Sequence, residues 1–177
     1  EPRTGLSMGQ SCELMAKTWK IERKEQDEIA LASHTNALRA AKENFFSDLI
    51  VPYHDLDKDN NVRASTSEKM AQLKPAFDRS TSGTLTAANS SALTDGSSCA
   101  LLSSEEWAKS KNITIQAYLT HCEVAAVDFT KDEGLLMAPA YAVSRMLKKA
   151  NLTLQNFDFY EIHEAFAAQV LCTLKAW

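Results

Sequence analysis

One run near the carboxyl end constrains this chain most: Glu161-Ile162-His163-Glu164-Ala165-Phe166-Ala167-Ala168-Gln169 sets an ionisable pair between two apolar stretches of different period. Upstream, Phe157 to Ile162 alternates as a strand does, and downstream Ala165 to Trp177 reads as a helix. A His-Glu pair at the carboxyl end of a strand, just before a helix, lies where open α/β sheets place ligands and chemistry. Imidazole is equally at home in turns, so position alone leaves His163 either a site residue or a satisfied turn residue.

The segments before it support an α/β reading. Ser7 can cap a helix from Met8 to about Trp19, with Glu13 near the positive end of its dipole. A longer helix is expected from Lys24 to about Phe46, with Ile29, Leu31, Ala32, Ala37, Leu38, Ala41 and Phe45 as its apolar stripe. A short strand follows at 48–53, demoted to a sheet edge by Pro52. Residues 55–66 form a polar loop. Its Asp-Asn run lacks the central glycine and the closing glutamate of a calcium loop. Ser67 to Leu73 reads as a short helix, 83–88 as an extended segment, and Asn89 to Gly96 as a tight loop where backbone comes close to something. Cys99 to Leu102 is a buried-strand candidate. Ser104 opens a short helix, 112–119 alternates as a strand, 126–134 is a loop, and Pro139 to Ala150 is a helix ended by Asn151. Strand and helix alternate from about residue 97 onward, which implies a parallel sheet with right-handed crossovers.

Bulk properties exclude several classes. At 177 residues the chain can form one domain or parts of two. A net charge of −4 gives no general attraction to nucleic acid or to an anionic membrane. No apolar run approaches the roughly 20 residues that cross a bilayer, and residues 1–5 do not read as a secretory leader, so a secreted protein is not expected. Cys12, Cys99, Cys122 and Cys172 are far apart, which gives no zinc or redox spacing; they are expected to be buried thiols in a reducing compartment. Only 5 residues are glycine.

Six strings, in order, resemble one family. They are Ser7-Met8-Gly9-Gln10-Ser11, Asp59-Asn60-Asn61-Val62-Arg63, Leu73-Lys74-Pro75-Ala76-Phe77, Gly83 through Ser91, Leu93-Thr94-Asp95-Gly96, and His163-Glu164-Ala165-Phe166. Together they resemble the thiolases, and most of all the 3-ketoacyl-CoA thiolases of the trifunctional β-oxidation type. The resemblance implies thiolase-like stacked α/β layers, with a mostly helical loop domain inserted before the parallel-sheet strands. It divides the chain into a CoA-binding loop domain at 1–83, the end of the amino-terminal half at 84–111, and the start of the carboxyl-terminal half at 112–177. It also implies that the nucleophilic cysteine and the later acid/base elements lie outside this stretch, which would explain the few glycines.

The implied reaction is cleavage of a 3-ketoacyl-CoA by CoA, giving acetyl-CoA and a shortened acyl-CoA in fatty acid β-oxidation. Coenzyme A is then a substrate, with no permanent cofactor and no metal. Many thiolases carry Asn before Glu-Ala-Phe; His163 stands there in this chain, as in the trifunctional branch. By resemblance His163 belongs to an oxyanion hole and Glu164 supports it. Ser7, Met8, Arg63, Phe77, Ala87 and Ser91 match CoA-binding positions, while Leu135 and Phe166 match the acyl pocket. Many thiolases have His where Ser7 stands. A homodimer, a hydratase/dehydrogenase α-subunit partner, and a cytoplasmic (bacterial) or mitochondrial (eukaryotic) setting follow from the same resemblance. Two alternatives remain: a CoA-binding or assembly piece without turnover, and an acetoacetyl-CoA or sterol-carrier-type branch.

Overall fold

Seven local hydrogen-bonded helical elements organise the computed structural model, which describes residues 1–131 and 133–177. Position 132, inside the loop read at 126–134, lies outside them. Helix α1 spans Met8–Thr18, α2 Arg23–Lys42, α3 Ser67–Ala71, α4 Glu105–Ser110, α5 Ala138–Ala150 and α6 Ala167–Ala176, with a single 3-10 turn at Leu154–Asn156.

Local chemistry starts and ends these helices. Ser7 accepts from Gln10 N while Gln10 Oε1 accepts from Ser7 N, so two otherwise orphaned donors are satisfied reciprocally. Ser104 accepts from Trp107 N at the start of α4. Thr66 caps α3 by accepting from Lys69 N. Asn151 closes α5 in the left-handed region, at φ 54°.

Helix α6 packs on α1, α2 and α5, and α2 also packs on α3. Between them lies a core of Cys12, Met15, Ala16, Ile21, Leu85, Met137, Ala140, Ala168 and Cys172, flanked by half-buried Trp19, Phe77, Phe166 and Trp177. Two expectations about the helices change. The apolar stripe expected on α2 is not its buried face: Gln26 and Asp27 are buried, while Ala32, Leu38 and Ala41 are exposed. Glu13 does not serve the helix dipole; it is 2% exposed and accepts from Thr84 N, Thr84 Oγ1 and Leu85 N at 2.8–2.9 Å.

That carboxylate heads a polar network. Gln26 Nε2 donates to Thr84 Oγ1 at 2.9 Å, and Asn89 Nδ2 donates to Asp27 Oδ1 at 2.9 Å. Asn89 Oδ1 accepts from Thr86 N, which closes the 86–89 turn. Asp27 also accepts from Arg23 Nε at 2.7 Å, and Arg23 Nη2 reaches Met70 O at 2.6 Å. Burying polar groups is costly unless they are bonded in this way; Gln26 Oε1 is left without a partner in this network. Gly83 makes the approach possible, since a Cβ there would lie 1.9 Å from Asp78 O.

The strands expected at 48–53, 83–88, 99–102, 112–119 and 158–162 do not assemble into a sheet among the described residues. The first is replaced by a tight turn in which Tyr53 and Leu56 exchange both backbone bonds. A strand needs a neighbour for its amides and for its apolar face. Here Leu101, Leu102, Leu119, Val124 and Phe159 stay exposed, the last by 87%. The Cys99–Leu102 segment is therefore not buried in this chain, and Cys99 and Cys122 are exposed while Cys12 and Cys172 are buried.

Replacing Glu13 with Ala leaves the Thr84 and Leu85 donors buried without an acceptor. The expected loss is about 3 kcal/mol, read from the urea midpoint, with Glu13→Gln losing less because one acceptor oxygen remains.

Candidate functional site

Where the Gly83–Ser91 segment meets the start of α6, two strings distant in sequence join. Ser91 N donates to Ala165 O at 2.7 Å and Ala167 N donates to Asn89 O at 3.0 Å, forming an antiparallel bridge between Ser90 and Phe166. Asn89 is thus shared. Its side chain holds Asp27 of α2, and its carbonyl caps the first turn of α6. His163 and Glu164 immediately precede this bridge, and both are exposed.

Phe166 forms the next contact. Its ring meets Phe77 edge to face, with centroids 5.9 Å apart at 81°, an arrangement worth about 0.5–1.5 kcal/mol beyond area burial. Phe77 in turn lies on the first turn of α1. A Cβ at Gly9 would fall 2.2 Å from the Phe77 ring, so only glycine admits the ring beside Met8. Lys17 of α1 pairs with Asp78, which fixes the turn carrying Phe77 and holds the Asp78 carboxyl well below the usual carboxylate range.

The structure therefore brings several candidates into one connected wall. Gly9, next to half-exposed Met8, borders Phe77, which touches Phe166, which bridges to the Ala87–Ser91 loop beside His163 and Glu164. Ala87 and Ser91 are exposed on that loop. Ser7 is occupied in capping α1. Arg63 is exposed and tied to α2 by its own amide, which donates to His34 Nδ1 at 3.3 Å. Leu135 sits elsewhere: it lines an open cleft of about 260 Å³ with Leu14, Thr18, Trp19, Lys131 and Gly134, a lining that includes neither His163 nor Phe166.

Sequence reasoning missed Glu13, Asp27, Asn89 and Ser33. Ser33 Oγ donates to Glu164 Oε2 at 2.5 Å. Glu13 had a signal, being a lone carboxylate in the apolar stretch Cys12 to Ala16. Ser33 had none. Among the described residues no cluster of His, Cys, Asp or Glu is arranged to hold a metal, and no helix is long and apolar enough to cross a membrane.

Neither buried cysteine is suited to nucleophilic attack. Burial pushes the Cys12 thiol up to about 12, and burial likewise pushes Cys172 up to about 11. The thiolate is the reactive form.

The bridged junction seats the 86–91 loop against the turn that opens α6. Residues 2–106 match the thiolase N-terminal domain and residues 113–177 the thiolase C-terminal domain; the chain belongs to the thiolase family. It is 46% identical over 179 residues to a probable 3-ketoacyl-CoA thiolase of Caenorhabditis elegans, covering 98% of this chain and 39% of that protein. It is 44% identical over 177 residues to the mitochondrial trifunctional enzyme subunit beta of Bos taurus, covering 98% and 37%. Among solved structures it is similar to the Bacillus anthracis acetyl-CoA acetyltransferase, with a TM-score of 0.86 and 41% identity over 96% of this chain and 44% of that one. The chain thus shares the thiolase-like α/β fold and spans about two fifths of the length of the curated relatives it matches.

At pH 8 a thiol with a pKa near 12 is ionised to about one part in ten thousand. In the 177-residue chain, Cys12 and Cys172 are therefore expected to react with an aromatic disulfide reagent only on unfolding, and the exposed Cys99 and Cys122 at once. Rapid labelling of all four in the native protein would contradict the packing described.

Proposed function

We propose that this chain supplies the CoA-binding loop region and one oxyanion wall of a 3-ketoacyl-CoA thiolase. The reaction is acyl transfer: CoA cleaves a 3-ketoacyl-CoA to acetyl-CoA and a shortened acyl-CoA. The observation that carries this reading is the Ser90–Phe166 bridge, because it seats the Ala87–Ser91 loop directly beside His163. A pantetheine arm lying along Met8, Phe77, Ala87 and Ser91 would bring its thioester toward the His163 end of the wall. Ser91 Oγ, now turned to the adjacent Ala92 carbonyl at 3.1 Å, is exposed and free to exchange that weak local partner for a pantetheine amide. Arg63 provides positive charge for the nucleotide phosphates, and Phe166 faces the acyl group; Leu135 lies on the separate cleft and is not assigned to that pocket.

In this mechanism His163 donates a hydrogen bond to the thioester or 3-keto oxygen as negative charge develops there. A fixed donor aimed at that charge is worth more in the transition state than in the ground state. Glu164 does not transfer a proton; it holds the junction. The nucleophilic thiolate and its acid/base partners come from segments of the protein outside residues 1–177, consistent with the inert character of Cys12 and Cys172. Those segments would also supply the strands that pair with 99–102, 112–119 and 158–162 to complete stacked α/β layers. The same proposal assigns 1–83 to the loop domain, 84–111 to the end of the first half and 112–177 to the start of the second.

His163, in place of the Asn of other thiolases, favours the degradative trifunctional branch over acetoacetyl-CoA and sterol-carrier types. A homodimer, docking to a hydratase/dehydrogenase subunit, and a mitochondrial or bacterial cytoplasmic setting belong to the same reading.

In the full-length protein, His163→Ala is expected to lower kcat for thiolysis by about 100- to 1000-fold, with KM for CoA little changed. Near-normal turnover in that variant would overturn the oxyanion assignment.

A further inference from the structure

The bond from Ser33 to Glu164 joins residues 131 positions apart and links the body of α2 directly to the His163 junction. We propose that Ser33 is a positioning residue for the His163 wall, holding the Glu164 carboxylate so that the His163 imidazole stays free for the substrate oxygen. The inference rests on the oxyanion reading of His163 given above.

Two features of the geometry support it. The first is the contrast in backbone bonding on either side of Glu164. From Ala165 onward the backbone is held by the bridge to Ser90 and Ser91 and then by α6. Before Ala165, residues 157–164 belong to no helix and no paired strand, and His163 and Glu164 are both exposed, so burial does not fix them. The Ser33 bond tethers this stretch at its last residue. Its 2.5 Å length lies in the range of charge-assisted O–H···O⁻ bonds. The other end of the tether is firm. Helix α2 is anchored by Arg23 to the carbonyls of Met70 and Leu73, and by Asp27 to Asn89, which itself holds Ala167. Ser33 and the bridge therefore hold the junction from one platform.

The second feature is the direction in which Glu164 is drawn. A carboxylate next to an imidazole is its natural partner, and an imidazole turned to that carboxylate is not aimed at the substrate. Among the described residues no ion pair joins His163 to Glu164; Glu164 turns to α2 instead. A hydroxyl suits this role because it donates without bringing a second charge to the site.

The test uses the full-length protein and thiolysis of acetoacetyl-CoA. Ser33→Ala is expected to lower kcat about tenfold, less than the roughly 100-fold that a full ångström of misplacement can cost. KM for CoA should stay within about twofold, because ground-state binding is untouched. Ser33→Thr keeps the hydroxyl and is expected to restore kcat, which a mere packing role would not do. The double variant Ser33→Ala, Glu164→Ala should be no slower than Glu164→Ala alone, since the two residues act as one unit. Unchanged kcat in Ser33→Ala, alongside a crippled His163→Ala, overturns the Ser33 inference alone. Multiplying losses in the double variant overturn it as well. Normal turnover in His163→Ala overturns both readings.

Discussion

Everything near the candidate site depends on how one buried carboxylate is satisfied. Glu13 lies on the inner face of α1, and no cation pairs with it among the described residues. An ionised carboxylate without water is costly unless donors surround it. The donors come from a distant segment: two backbone amides and one hydroxyl of Thr84 and Leu85. Helix α1 can therefore bury its inner face only when the 83–91 segment is docked in one register. A carboxylate receiving several aimed donors specifies that register more tightly than an apolar contact of equal area, because its geometry is directional.

The constraint propagates outward by shared residues. Thr84 also accepts from Gln26, and the Asn89 side chain holds Asp27, so α2 is drawn onto the same loop. The Asn89 carbonyl then receives Ala167 N, and Ser91 N reaches Ala165 O, so the loop sets the start of α6. Phe166, fixed by that bridge, meets Phe77, which Gly9 admits to the first turn of α1. The circuit closes on the helix where it began. The residues proposed to face ligand sit on the rim of this circuit, while the groups that hold it are inside.

Much of this was legible in the residues, for identifiable reasons. Helix ends are local chemistry, so Ser7, Ser104 and Asn151 marked them without tertiary information. The small polar run after Ala88 signalled a close backbone approach, and the approach is to Ala165 and Ala167. Family resemblance rested on short strings, several of which meet where the chain folds back on itself, and the domain matches bear the resemblance out. What stayed hidden is non-local. Alternation marks a strand but not its partner, and segments such as 112–119 have none among the described residues. The inward face of α2 carries Gln26 and Asp27, which a hydrophobic stripe cannot reveal. Ser33 became visible only when the fold set it against Glu164.

The central claim is that Glu13 sets the His163 junction through the loop, rather than merely stabilising α1. Amide hydrogen exchange in the full-length protein, wild type against Glu13→Gln, tests it most directly. The expected result is faster exchange at Thr84 and Leu85 together with Ser91 and Ala167, whose amides close the bridge beside His163. Faster exchange at Thr84 and Leu85 with Ser91 and Ala167 unchanged would show that the junction is held independently of Glu13, and would contradict the account.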